Sequence, residues 1–339
     1  MKKFLFIGIL IAVLVRCSTE RSVPRKPFAF ALPAGIASPP IPEDNHMSWE
    51  RIELGRKLFF DPILSVDSSM SCATCHQTQH GLANPQPVMR GVFGRLGFRN
   101  TPTLTQVAYS PYFFAEGGSP TLEMQVLGPI EDHNEFGFNG AELAQKIKGH
   151  PVYDKLAQQA YARPMDMYVL TRAIAAYERT MISHQSRFDQ FYYRGDSTAL
   201  SPQELRGWKL FSSDRTNCIN CHSGFSFSHY QFENIGLYET YTDQGLARKT
   251  MQDDDVGKIK VPTLRNVAYT APYMHDGSVQ TLTRVVNHFN EGGKGHPNQS
   301  ELIRPLGLSA PEVADLVAFL RSLSDDVFLS DTLYTNPWD

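Results

Sequence analysis

Net charge is what this sequence lacks most: 32 Lys+Arg stand against 35 Asp+Glu, a formal -3 at pH 7 with a pI near 6.4. That balance carries no electrostatic footprint for nucleic acid, whose phosphate backbone demands a basic surface. Cysteine is scarce as well, at five residues, too few for a dense disulfide framework. No long alternating stretch marks a β-strand. The one long apolar run, Phe4 to Val15, is shorter than the roughly 20 residues that span a bilayer as a helix. What remains is a chain of 339 residues, 42% hydrophobic and 20% charged, enough for about two domains with cores and too apolar for disorder.

The ends set the compartment. Two lysines, the apolar run, Arg16 and then Cys17 give the pattern of a secretory signal over residues 1–17. Cys17 followed by Ser18 and Thr19 is similar to a lipoprotein signal, although Arg16 departs from the small residue expected there. A lipid anchor and ordinary cleavage both stay open. Residues 18–44 hold Pro24, Pro27, Pro33, Pro39, Pro40 and Pro42 and read as a tether. A periplasmic location, with possible anchoring through Cys17, follows.

The other four cysteines form two C-x-x-C-H motifs, Cys72 to His76 and Cys218 to His222. Two thiols three residues apart can each bond one vinyl group of the same haem, and the adjoining imidazole can take the iron. A redox C-x-x-C or a zinc site uses the same thiols but leaves the repeated His unexplained. Two covalently bound haem c groups are therefore expected.

The chain also repeats itself. Thr101–Val126 aligns without gaps on Val261–Val286 with ten of 26 positions identical, among them Pro102/Pro262, Tyr109/Tyr269, Gly117/Gly277 and Leu122/Leu282. A Lys-Leu-Phe precedes each haem motif (Lys57, Lys209). The expected fold is mainly α, two cytochrome-c-like haem domains related by internal duplication, over 45–194 and 195–339. Helices are expected at Tyr168–Tyr177, after a Ser201/Glu204 cap, and after a Ser309/Glu312 cap. Asp253 to Asp255 reads as a solvated loop.

From about Asn45 to Leu323 the sequence resembles the bacterial di-haem cytochrome c peroxidase family, together with the related tryptophylquinone-forming di-haem enzyme of methylamine utilisation. The segments that carry the likeness are LGRKLFFDPILS, SCATCH, RNTPTL, FFAEGGSPTLEMQ, HNEFG, GWKLF, CINCH, VPTLRNVAYTAPYMHDGS and DLVAFLRSL. The resemblance implies a peroxidatic haem on Cys72/Cys75 and an electron-transfer haem on Cys218/Cys221. It implies that Glu135 is the catalytic acid-base, taking a proton from one oxygen of hydrogen peroxide and returning it to the departing one, while Gln125 orients the peroxide. It also implies a calcium ion between the domains at Asn100, Thr270 and Pro272, a small electron donor (a c-type cytochrome or cupredoxin) and a possible homodimer.

The sequence departs from that family at three points. Ala115, next to Phe114, replaces the Trp between the haems. The loop Met89–Phe98 contains no His that could plug the first haem, so the site is expected to be open; His80 reads as structural. Phe289 stands where the second haem's sixth ligand belongs, which leaves His288 or Met274 as candidates, while His275 carries no catalytic assignment. The leading expectation is hydrogen peroxide reduction with electrons entering at the second haem. The alternatives are a di-haem oxidase that modifies a partner protein and a non-enzymatic electron-transfer cytochrome.

Overall fold

The computed structural model describes residues 25–338. The signal sequence, Cys17 and Pro24 lie outside the described residues. Fourteen helices among these carry the fold: α1 Trp49–Phe60, α2 Cys72–Cys75, α3 Leu122–Gln125, α4 Leu127–Glu131, α5 Gly140–Ile147, α6 Pro151–Tyr161, α7 Met167–Glu178, α8 Arg187–Tyr192, α9 Pro202–Phe211, α10 Cys218–Cys221, α11 Ala247–Thr250, α12 Leu282–Glu291, α13 Ala310–Ser322 and α14 Asp326–Leu329. Strand is confined to an antiparallel pair of two-residue strands, β1 Phe232–Glu233 and β2 Ile259–Lys260. No helix of the described residues is long and apolar enough to cross a membrane.

Local chemistry sets the helix starts. Ser201 and Ser309 each form the expected capping box, with Glu204 and Glu312 reaching back to the cap N–H, and Pro enters at the first turn. The apolar Tyr168–Tyr177 stretch becomes α7, with nine buried residues from Val169 to Glu178.

Each half is built on one crossed helix pair. In the first, Gly55 of α1 meets the Ala173 carbonyl of α7 so closely that a Cβ would overlap it. In the second, Gly207 of α9 meets the Asp315 carbonyl of α13 in the same way. Both glycines lie two residues before the Lys-Leu-Phe, so the sequence repeat is a packing repeat: glycine lets the backbones approach, and the following Leu and Phe fill the core beside the crossing. Phe59 with Tyr177 and Phe211 with Phe319 are the corresponding ring contacts, at 5.2 and 4.9 Å.

Two features differ from the sequence reading. From Arg25 onward the Pro-rich segment is not a free tether. Pro27 pairs with Ser48, the Lys26 N–H donates to Glu50 Oε1 at 2.9 Å, Phe28 packs on the first core, and the Ala37 carbonyl accepts from the Tyr109 hydroxyl at 2.9 Å. Proline forbids regular structure there but not docking of the aromatic between the prolines. The domain limits are also interleaved. Phe188 and Leu200 belong to the second core, whereas Phe328 and Tyr334 return to the first. Trp338 Nε1 donates to the Lys57 carbonyl at 3.2 Å, which fastens the tail to α1. Asp253–Asp255 forms an exposed 3-10 turn, tied through Asp255 to Thr250 and Lys258.

Candidate haem sites and the acid loop

Each C-x-x-C is one short helical turn, and the His that follows caps it. His76 N–H donates to the Cys72 carbonyl and His222 N–H to the Cys218 carbonyl, both at 2.9 Å. The turn therefore presents two thiols and one ring from a single rigid unit. His76 Nδ1 lies 3.0 Å from the Leu82 carbonyl, and His222 Nδ1 lies 3.0 Å from the Phe227 carbonyl. A carbonyl only accepts, so Nδ1 carries the proton and Nε2 keeps its lone pair for a metal. Burial pulls both rings down to about 4, so both are neutral at pH 7.

The loops that carry these carbonyls are held by the repeat. Thr103 Oγ1 donates to the Gly81 carbonyl and Thr263 Oγ1 to the Ser226 carbonyl, each at 2.6 Å and each one residue before the carbonyl that takes the ring. These two threonines, identical in the aligned segments, were visible as a repeat but not as supports of the ligands.

The surroundings of the four thiols do not favour the thiolate. All four are free in the structure. Burial pushes Cys75 up to about 12 and Cys221 up to about 11, the reverse of the depressed pKa of a redox-active thiolate. Among the described residues the one three-residue metal-ligand grouping is Cys221, His229 and Glu233, which uses one Cys of one motif, short of the four ligands of structural zinc. The donor set thus fits two c-type haems: paired thiols on one turn, then a neutral imidazole with a free Nε2.

Beside the first motif the chain runs through α3 and α4, which are separated at Val126, with Pro129 inside α4. α3 ends at Gln125, α4 ends at Glu131, and the chain turns through Asp132, whose carbonyl accepts the N–H groups of Glu135 and Gly137, both at 3.0 Å. The loop 89–98 grips this turn from outside. Val92 N–H donates to the Glu135 carbonyl at 2.9 Å, and Gly91 sits where a Cβ would overlap the carbonyls of Asn134 and Glu135. Arg95 Nη1 reaches His133 Nδ1 and the His133 carbonyl, both at 3.1 Å.

Glu135 has an open face, yet the protein crowding its other sides and the charge of Asp132 push its carboxyl up to about 7. Its charge also acts on Cys75 and Cys72, so the acid and the first motif share one site. Gln125 is half-buried at the end of α3, and its side-chain amide makes no hydrogen bond among the described residues.

Two expected ligands part company. His288 is buried on α12 with Nε2 3.0 Å from the Ile235 carbonyl. That nitrogen donates its proton to the carbonyl, so the ring's lone pair is on Nδ1. Asn100 donates through Nδ2 to the carbonyls of Gln86 and Pro87, at 3.1 and 3.2 Å, and through its N–H to the His275 carbonyl at 2.8 Å. Its Oδ1 is left as a free hard oxygen at the domain junction, as a calcium ligand requires.

The junction itself is polar and close. The Lys260 N–H donates to the Ala115 carbonyl at 2.8 Å, and Arg99 bridges Glu116 of the first half and Asp243 of the second. The two 3-10 turns Val107–Tyr109 and Val267–Tyr269 cross over. Tyr109 packs its ring on Phe225 at 5.6 Å, beside the second motif, while Tyr269 and Thr270 pack on Gly81, beside the first.

Residues 49–198 match the family Di-haem cytochrome c peroxidase and residues 204–324 match the family Cytochrome c. Cytochrome-c peroxidase IdrP1 of Pseudomonas sp. is 34% identical over 321 residues, covering 84% of this chain and 83% of its own length. Methylamine utilization protein MauG of Methylorubrum extorquens is 33% identical, covering 84% and 81%. Among solved structures, a MauG-like protein associated with microbial copper homeostasis superposes with a TM-score of 0.87 at 31% identity, over 92% of this chain and all of that one. The paired haem-binding turns, the crossed-helix halves and these likenesses lead to one conclusion: the chain belongs to the di-haem cytochrome c peroxidase family and is an oxidoreductase.

Proposed function

We propose that the protein reduces hydrogen peroxide to water at the site framed by Cys72, Cys75, His76 and Glu135, with electrons from a small carrier protein that enter at the second motif. The observation that carries this reading is the loop of Glu135: a carboxyl with a pKa near 7, set against the first motif and gripped by a second loop. A haem bound there supplies the redox chemistry, with His76 Nε2 as its iron ligand and His222 Nε2 as that of the second haem.

Glu135 does the proton work. At pH 7 it exists in both forms, so it can accept the proton of bound peroxide and hand it to the leaving oxygen without a large free-energy step either way. Gln125, with its amide uncommitted, hydrogen-bonds and orients the peroxide. Loop 89–98 holds the Glu135 backbone in place and brings no imidazole of its own to the site, so Glu135 meets peroxide without prior rearrangement.

Electrons cross where the halves touch. With Ala115 at the junction there is no indole to carry charge. The backbone hydrogen bond from Lys260 to Ala115, and the Phe114 ring packed against Gly128, make the short contact through which they pass. Asn100 Oδ1, with the carbonyl oxygens of Thr270 and Pro272, would hold a calcium ion, which would stiffen this junction. Attachment of c-type haem in bacteria takes place outside the cytoplasm, so this function places the protein in the periplasm.

The test is steady-state peroxide consumption by the haem-loaded protein with a reduced mono-haem cytochrome, beside Glu135→Gln. Turnover that collapses in the variant supports the proposal. A second reading, oxidation of a partner protein, is favoured by the likeness to MauG and to the MauG-like structure. It takes precedence if peroxide oxidises the haems in full while reduced cytochrome is not consumed.

A further inference from the structure

One buried carboxyl near the first motif has no part in the chemistry above. Glu178 closes α7, is 4% exposed, and has Oε2 buried with no hydrogen-bond partner. The adjacent cation does not serve it. Arg179 donates through Nη1 and Nη2 to both oxygens of Glu123, at 2.7 and 2.9 Å, and Asn45 Nδ2 adds a third bond to Glu123 at 2.7 Å. Nearby hydroxyls are committed as well: Tyr177 donates to the Leu333 carbonyl and Tyr334 to the Thr180 carbonyl.

The titratable groups that face Glu178 are therefore few. Arg179 follows it in the chain, Glu123 comes from α3, and Cys72 comes from α2, where Glu178 is the charge that acts most on the thiol. Burial dominates and raises the Glu178 carboxyl to about 8, with Arg179 opposing and Glu123 adding to the rise. A carboxyl in this position is neutral until a positive charge appears nearby. The haem carried by Cys72 is where such a charge changes: loss of one electron raises the charge at iron by one, across an interior that screens poorly.

We propose that Glu178 is a positioning residue that couples a proton to the first haem, its carboxylate taking up one proton when that haem gains one electron from the carrier protein and releasing it when the electron leaves. The inference rests on the reading that Cys72 and Cys75 hold a haem. Charge stays balanced, because the proton on Glu178 offsets the electron gained at the first motif. The reaction at Glu135 consumes two electrons and two protons, so an electron stored with its proton is matched to that demand.

The experiment is a spectroelectrochemical titration of the two-haem protein from about pH 6 to about pH 9, with the first haem identified as the wave lost in His76→Gly. The expected result is a tenfold change in its reduction equilibrium per pH unit, flat in Glu178→Gln and retained in Glu178→Asp with its midpoint pH moved. A purely structural carboxyl would leave that slope unchanged on replacement by the isosteric amide. A pH-independent wild-type potential, or an equal slope in wild type and Glu178→Gln, overturns the inference while leaving the haem reading intact. Should Glu178→Gln not fold, a wild-type slope that moves in Glu178→Asp supports the proposal and one that stays fixed overturns it. Haem found on Cys218/Cys221 alone overturns both the inference and the reading beneath it.

Discussion

The two halves of the molecule run in register over 101–126 and 261–286 and then diverge at one dipeptide. Offset by 160 residues, the turn bridged at Phe113 and Ser119 matches the turn bridged at Tyr273 and Val279, with Phe114 and Met274 both in the left-handed region at φ 64° and 71°. Gln106 hangs on the Met181 carbonyl and Asn266 on the Leu323 carbonyl in the same way, at 2.9 and 3.1 Å. Continuing the register, Gly128-Pro129 falls opposite His288-Phe289. In the first half Pro129 lies inside α4, which ends at Glu131, and the chain then turns through Asp132 into the Glu135 loop. In the second half α12 runs ten residues without interruption, and the side chain opposite Gly128 becomes a buried imidazole bonded to Ile235. One duplicated frame thus yields a half whose short helix turns into an acid loop and a half whose helix runs on.

The strongest way to break this contrast is to remove the acid. Glu135→Gln should lower peroxide turnover by about 10²–10⁴-fold with haem content unchanged, measured at steady state with reduced cytochrome. The sign of the pH dependence follows from the raised pKa. The carboxylate that accepts the first proton accumulates above about 7, so kcat/KM of the wild type should rise with pH through about 7 and level off, and the variant should lose that limb.

A second difference between the halves lies at one register position. Arg265 and Asp189 form a fully buried bidentate pair at 2.8 and 2.9 Å, and the register partner of Arg265 is Thr105. Arg265→Met leaves Asp189 buried without its partner and should cost about 3–5 kcal/mol, read by urea unfolding of the loaded protein. The same change at Thr105 leaves no uncompensated charge and should cost less.

Gly128 gives a sharper test of the divergence. Its missing Cβ is the space occupied by the Phe114 ring, so Gly128→Ala should destabilise the first half by about 1–3 kcal/mol through overpacking. Turnover should drop as well, because Phe114 adjoins Ala115 at the crossing. The smallest expected effect is at a feature of the second half: Ser201→Ala removes the cap of α9 and should cost about 0.5–2 kcal/mol, visible as a lowered melting temperature with peroxide turnover kept.

Much of the architecture could be read in one dimension because it depends on short-range rules. The C-x-x-C-H motifs became two haem-binding turns, since three-residue spacing and a cap fix that unit locally. The capping boxes at Ser201 and Ser309 set the starts of α9 and α13, and the apolar run after Asp166 became α7. The duplication was visible because 101–126 recurs in 261–286 and Lys-Leu-Phe precedes each motif, whereas the glycine two residues earlier showed its role only in the packing of each helix pair.

Long-range contacts decided the rest. His288 read as a ligand because it stands beside the expected slot, and only the approach of Ile235, 53 residues away in sequence, shows its Nε2 to be spoken for. The Pro-rich segment read as a tether because proline suppresses regular structure, yet Phe28 and the Ala37 carbonyl dock it on the first half. The tail read as part of the second domain because it follows α13, but Phe328, Tyr334 and Trp338 close on the first. Glu178 gave no signal beyond a carboxylate ending an apolar helix, and its isolation appears only once Arg179 has been drawn to Glu123. Spacing and composition govern what a segment can form by itself. Which donors and acceptors remain once distant segments meet is settled by packing, and in this protein that remainder, Nε2 of His76 and His222, Oδ1 of Asn100 and the carboxyls of Glu135 and Glu178, is where the chemistry is available.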